Sequence, residues 1–244
     1  IVATAVVARP ILIGGGAGFT GVLHKYAWRH VDAELQPGDR DLAGVDRDGQ
    51  RLVLAAFERT GGCRSCGPGG MGISGATSLP KVWGENENIA WKAELPGAGA
   101  SSPIVLGDHI YLTSYTGYLV PGEGGGSLEQ LQRHLLCLSR EDGEILWDRP
   151  VKARLPEEER IRDHGYAANT PVADSERVIA FFGKSGVFAY DHQGKLLWQA
   201  DVGSKSSGWG TAASPVLYKD LVIVNASVES ESLIALDVRD GAEK

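Results

Sequence analysis

The sequence predicts an all-β chain, and more narrowly a β-propeller of four-stranded antiparallel blades. Three observations carry that expectation. A Trp-centred phrase recurs, as "IAWKAELPG" at 89–97, "ILWDRPV" at 145–151 and "LLWQADVG" at 196–203. Three segments open with a small residue and Pro: "SSPIVLGDHIYLT" (101–113), "NTPVADSERVIAFF" (169–182) and "ASPVLYKDLVIVNA" (213–226). Turn glycines Gly143, Gly194 and Gly241 follow one another at 51 and then 47 residues, a period suited to one propeller blade.

The elements follow in order within each unit. Pro stands at the first strand position, where its missing N–H costs no ladder hydrogen bond. A polar turn ("GDH", "DSER" or "YKD") leads into a second strand, and a β-branched residue sits seven places after the Pro: Ile110, Val178 and Val222. A third strand ("HLLCLSRE", "GVFAYDHQ", "SLIALDVR") ends in "EDGE", "HQGK" or "RDGA", whose Gly supplies the positive φ of a tight hairpin. The fourth strand carries Trp four residues past that Gly, at Trp147 and Trp198. By the same rule the next Trp would fall one residue beyond Lys244, so the sequence is expected to stop in mid-repeat.

Side-chain alternation agrees with this reading. In "LLWQADV", Leu196, Trp198, Ala200 and Val202 share one face and Leu197, Gln199 and Asp201 the other, as an outer strand against one neighbouring blade requires. "VIAFF" and "LVIVNA" are apolar on both faces, as strands sandwiched between blades must be. Trp91, Trp147 and Trp198 are accordingly expected to dock blade against blade, with no part in a site.

Composition narrows the function classes. The 244 residues are 43% apolar with 33 Gly and 11 Pro, a content of turn formers that favours many short elements. A net charge of −7 argues against a nucleic-acid partner, which calls for a basic face. Cys63 and Cys66 form C-x-x-C, but no second pair follows at zinc spacing, Gly67 stands where haem attachment needs His, and the following "GPGGMG" reads as a loop. No metal site is expected. Cys137 in "HLLCLS" is expected to be a buried small hydrophobe. "IVATAVVA" could end a secretory leader, and Arg9 and Pro10 break the apolar run well short of a membrane span, so no transmembrane helix is expected.

The Pro-led first strand, the "ALD-x-x-x-G" type of turn and the Gly-x-x-x-Trp strand together resemble the PQQ-like β-propeller repeat. That family includes quinoprotein dehydrogenases and the BamB-like lipoprotein of outer-membrane protein assembly. "GPGGMGIS", "NIAWKAELPGAGASSPIV", "HGYAANTPV" and "FFGKSGVFAYD" resemble a secreted, planctomycete-type branch of it. The resemblance covers about residues 67–244 and implies a propeller of seven or eight blades, of which this chain supplies about three. It also implies that the lone Trp strand at 88–95 completes the last blade, with partner strands beyond residue 244. An extracytoplasmic location, periplasmic or secreted, comes with it.

Residues 1–66 carry no blade motif and read as a leader with a linker, or as a segment translated out of frame. Gly16, Gly18 and Gly21 match G-x-G-x-x-G, with Asp32 and Glu34 at ribose distance. No series of βα units follows, which argues against a dinucleotide fold.

Any site is expected at the channel mouth, in the segments that lead into the first strands: "DHGYAANTP" (163–171) and "SSGWGTAASP" (206–215). The candidates are His164, Tyr166, Asn169 and Trp209, with Lys184 from the turn "GKSG". The plainer reading is that they satisfy backbone groups and pack between blades. "PEEERIRD" (156–163) is read as a solvated helical turn and "PGEGGGS" (121–127) as a flexible excursion. No nucleophile–His–acid set shows a spacing that supports hydrolysis. The sequence therefore points to a binding or scaffold module for a protein, peptide or glycan partner. The alternative from the resemblance is a quinoprotein oxidoreductase of alcohols or sugars, with PQQ and calcium held by residues outside this chain; the adjacent Cys-Cys of that class does not occur here.

Overall fold

The computed structural model describes residues 4–8, 52–54, 89–123, 125–161 and 164–244. Cys63, Cys66, the Gly16–Gly18–Gly21 motif and its acidic residues Asp32 and Glu34 lie outside them. The described elements are strands and short 3-10 turns, in the order β1 (Thr4–Ala8), β2 (Leu52–Leu54) and β3 (Trp91–Leu95), followed by three repeating sheets.

The first sheet is β4 (Ile104–Leu106), β5 (His109–Thr116), β6 (Gln132–Ser139) and β7 (Ile145–Lys152), all antiparallel in chain order. The second is β8 (Val172–Ala173), β9 (Arg177–Phe181), β10 (Val187–Asp191) and β11 (Leu196–Ala200), wound the same way. The third has β12 (Val216–Tyr218), β13 (Leu221–Ala226) and β14 (Ser232–Asp237), with Glu243 bridging back to Leu236 where a fourth strand begins. These are successive blades of a β-propeller.

The blades stack because each middle strand is apolar on both faces. In β9 and the residue after it, Val178, Ala180 and Phe182 pack with Tyr111, Leu135 and Cys137 of the first blade. Ile179 and Phe181 turn the other way, onto Val222, Val224 and Leu236 of the third. The residues seven places after the Pro occupy equivalent positions. Ile110 faces β3, Val178 the first blade and Val222 the second, all at or below 1% exposure. The third blade leaves its far face open, with Leu233 at 73% exposure and Tyr218 at 57%.

The Trp residues dock as expected, each against a defined seat. A Cβ on Gly194 would lie 2.9 Å from Trp147, and one on Gly241 2.6 Å from Trp198; Trp91 covers Gly143 in the same way. The glycines have φ of 78°, 73° and 78° for 194, 241 and 143, so the bare, left-handed turn residue is also the seat of the previous blade's indole. Each indole N–H donates to a carbonyl of the same turn: Trp91 to Arg140, Trp147 to His192 and Trp198 to Val238, at 3.0, 2.9 and 2.9 Å. Opposite Trp147 and Trp198 stand the small residues Cys137 and Ala189, which leave room for the ring.

The Trp strand β3 pairs in parallel with β1, which pairs antiparallel with β2; the partner strands expected beyond residue 244 lie outside this chain. A strand edge of unpaired N–H and C=O groups accepts any extended segment rich in β-branched residues, and Thr4, Val6 and Val7 supply one.

Candidate functional site

Each blade's second and third strands join on one face of the molecule, and so do the connections between blades. The connection 153–171, the connection 201–215, the β9–β10 turn and the β13–β14 turn (227–231) therefore meet. Between them lies a shallow, solvent-open polar pocket.

The floor is polar and ordered. Arg133, in β6 and 7% exposed, donates from each of its three guanidinium nitrogens there. Nε donates to the Tyr166 carbonyl at 2.9 Å, Nη1 to Ser185 at 3.2 Å, and Nη2 to Glu157 at 2.6 Å. The Glu157 side chain is only 4% exposed, so this is a buried ion pair backed by two further hydrogen bonds from the same guanidinium. The solvated helical turn expected at 156–163 is corrected accordingly. Its described residues form no helix, because Glu157 turns inward to Arg133 and the chain follows it.

The connections are laced across the blades. Asn169 Nδ2 donates to the Ala213 carbonyl at 2.7 Å, and its own carbonyl accepts from Thr113 at 3.0 Å. The residues just before the prolines repeat one bond: Ser102 N–H donates to Thr170 Oγ1 at 3.1 Å, and Thr170 N–H to Ser214 Oγ at 3.0 Å. Ser206 Oγ donates to Glu158 at 2.7 Å and ties the two connections together.

Of the sequence candidates, the structure brings Tyr166, Asn169 and Lys184 together in the lining. Tyr166 is 6% exposed and packs edge-on against Tyr115. Burial, then the neighbouring Tyr118 and Glu157, raises its phenol above the ordinary range, and the hydroxyl donates to the Glu158 carbonyl at 2.7 Å. Lys184 sits in the 3-10 turn Gly183–Ser185 at 5% exposure. His164 does not join the set; its Nδ1 is 3.1 Å from the Gly165 carbonyl, a local loop contact. Trp209 is not in the lining; it precedes the lining residue Gly210 and is 66% exposed.

Sequence reasoning missed Glu229. It lies in "SVESES", a stretch with no motif, and is 2% exposed, accepts a hydrogen bond from Thr211 Oγ1, and leaves Oε2 without a hydrogen bond. It also missed a line across three strands. Thr116 Oγ1 is 2.8 Å from His134 Nε2, and His134 Nδ1 is 2.8 Å from Asp148 Oδ1. The order is that of nucleophile, base and acid, but Thr116 is not in the pocket lining and its methyl lies against Gly97, so the line serves as a strut joining β5, β6 and β7. The segment 121–127, read as a flexible excursion, is held by Leu119 N–H to Gly125 O and Ser127 N–H to Gly117 O.

The described lining offers donors, acceptors and aromatic faces, with no histidine beside its Ser and Thr hydroxyls, a set suited to recognition. Among the described residues no group of three or more His, Cys, Asp or Glu could hold a metal ion. No described helix is long and apolar enough to cross a membrane.

Among solved structures, BamB from Moraxella catarrhalis aligns at 14% identity and a TM-score of 0.47, over 86% of this chain and 50% of that one. The quinohemoprotein alcohol dehydrogenase ADHIIG from Pseudomonas putida HK5 aligns at 16% and 0.41, over 63% of this chain and 21% of that one. A europium-containing methanol dehydrogenase aligns at 18% and 0.39, over 61% and 24%. The chain thus spans half the length of the BamB chain and less than a quarter of the two dehydrogenases. No curated protein matches. The family model described as outer membrane protein assembly factor BamB matches residues 116–244, more than half of the sequence and all three turn glycines Gly143, Gly194 and Gly241, and the chain belongs to that family of PQQ-like propellers.

Proposed function

We propose that this chain is an extracytoplasmic binding module whose pocket-bearing loop face engages a protein or peptide partner. The observation that carries the proposal is Trp209, a large aromatic side chain 66% exposed and next in sequence to Gly210 of the polar pocket lining. Trp on a rigid frame is the residue type that most often anchors a protein interface. The family's description as an outer-membrane protein assembly factor supports both a protein partner and a location outside the cytoplasm.

The test uses the 244-residue chain and immobilised segments of outer-membrane β-barrel proteins. Trp209→Ala is expected to weaken binding by about tenfold or more while leaving the melting temperature unchanged. Equal affinity in the variant, or binding to glycans and to none of the polypeptides, would refute the proposal.

A further inference from the structure

The third blade repeats an apolar face that the first two blades keep covered. One residue after each Pro stand Ile104, Val172 and Val216. In the third strands, Leu135, Val187 and Leu233 hold one equivalent position, and Cys137, Ala189 and Ala235 the next position on the same face. In the first two blades all of these are at or below 2% exposure, because the following blade packs on them. In the third blade Val216 is 38% exposed and Leu233 73%, with Tyr218 beside them at 57%. The residues recur, and only their cover does not.

The chain also holds a strand of the complementary kind. β3 is a fourth strand by its Trp, which covers Gly143 and donates its indole N–H to Arg140 as Trp147 and Trp198 do in the next two blades. The fourth strands β7 and β11 pair antiparallel with the third strands β6 and β10. β3 pairs instead with β1, in parallel, so a third strand of its own blade is not among the described residues. The third blade lacks the converse. β14 pairs with β13 on one side. Its other side carries residues 242–244, bonded to Ala235 and Asp237 and bridged to Leu236, and among the described residues no strand runs along Ser232–Ile234 there. Such an edge is a template for an incoming strand.

The open face and edge specify their occupant: an antiparallel fourth strand, with a Trp at one set position and an apolar blade face behind it. β3 with the first blade carries all three features. We propose that the chain associates head to tail with a second copy of itself, β3 of one copy taking β14 of the other in place of β1. The register follows from the blades. Trp147 and Trp198 stand opposite the small residues Cys137 and Ala189, so Trp91 stands opposite Ala235 and Ala93 opposite Leu233. The open face around Leu233 then meets the partner copy's first blade. There Val105, Ile110 and Leu136 hold the positions that Leu217, Val222 and Ile234 hold in the third blade, where they pack on the second. Each new seam thus repeats one that the chain already contains. Each copy brings three blades, so two copies close a ring of six with two equivalent seams, inside the range of about four to eight blades that propellers adopt, and three copies exceed it. This goes beyond the partner surface at Trp209 and does not depend on it.

The experiment is light scattering of the 244-residue chain after size exclusion. Twice the chain mass is expected, with a dissociation constant of about 1 μM or tighter. Leu233→Asp is expected to weaken the dimer by about tenfold or more and to leave the circular dichroism unchanged, since the residue is exposed within the chain. Direction and register are read by disulfide capture. Copies carrying Leu233→Cys, incubated with copies carrying Ala93→Cys, are expected to cross-link on oxidation, both in a background with Cys63→Ser and Cys66→Ser. Neither variant is expected to cross-link alone. The mass of the unmodified chain is independent of how any variant folds. A monomer at about 100 μM, a species larger than a dimer, a dimer indifferent to Leu233→Asp, or capture within Leu233→Cys alone would each overturn the proposal.

Discussion

Trp147 lies over Gly194 of the following blade, where a Cβ would stand 2.9 Å from its ring, and donates its indole N–H to His192 in the same turn at 2.9 Å. One glycine thus serves two constraints that the sequence keeps apart: a φ of 78° within its own hairpin and a flat seat for its neighbour. Inter-blade packing and hairpin geometry are coupled at a single residue, and the coupling recurs at Gly143 and Gly241.

Gly194→Ala is therefore expected to cost more than Gly107→Ala. Both glycines have positive φ, but a Cβ at Gly107 meets nothing within 4 Å. Backbone strain alone costs about 1 kcal/mol at either position, and Gly194 adds the displaced indole, for about 1 kcal/mol or more in excess. Urea midpoints of the two variants measure the difference; equal midpoints would show that the seat yields freely.

Arg133→Met is expected to destabilise by about 3 kcal/mol or more, because it strands Glu157 as an uncompensated buried charge. Adding Glu157→Gln should recover a substantial part of that loss, since the second change removes the stranded charge. A double-mutant cycle on denaturation midpoints reads the coupling.

Acid should loosen the seam between the first two blades. His109 stacks on His192 at 6.1 Å, with Tyr111 at 5.9 Å and Asp108 beside it. Burial, then the His192 charge, lowers the pKa of His109 below 6.5, with Asp108 opposing. The unfolded chain takes up that proton more readily than the folded one. The contribution is therefore complete above about pH 6.5 and is lost as pH falls below it. Melting temperatures from pH 8 to pH 5 should show a decline that His109→Gln flattens.

Cys137 should resist alkylation in the folded protein. Its side chain is buried at 0% exposure, and burial pushes the thiol pKa up to about 12. Mass spectrometry of the peptide carrying Cys137 after iodoacetamide at pH 8 should show modification only once urea has unfolded the chain.

The propeller was legible because its signals are local and periodic. Alternation along "LLWQADV" places Trp198 on a buried face by strand geometry alone, and Gly241 marks a hairpin because few other residues accept its φ. Tyr166 and Asn169 were reachable for the same reason, since they lie just ahead of a Pro-led strand. Glu229 was not. A carboxylate in a Ser-rich turn looks solvated until a neighbouring turn covers it, and covering is a long-range fact. Glu157 misled in the same way, and the pairing of β3 with β1 shows no pattern that alternation or turn chemistry could reveal.

The sequence by itself determined blade order, strand boundaries, the docking role of the Trp residues and the face on which the connections gather. These follow from side-chain period and backbone φ, which each short segment carries alone. Only the tertiary structure decided which charges are buried and which are met. Arg133 and Glu157 are 24 residues apart, and Thr211 and Glu229 are 18 apart. Whether such groups pair or stand unpaired in a pocket depends on how adjacent blades set their turns, because solvent exposure is a property of the assembled surface and of no single segment.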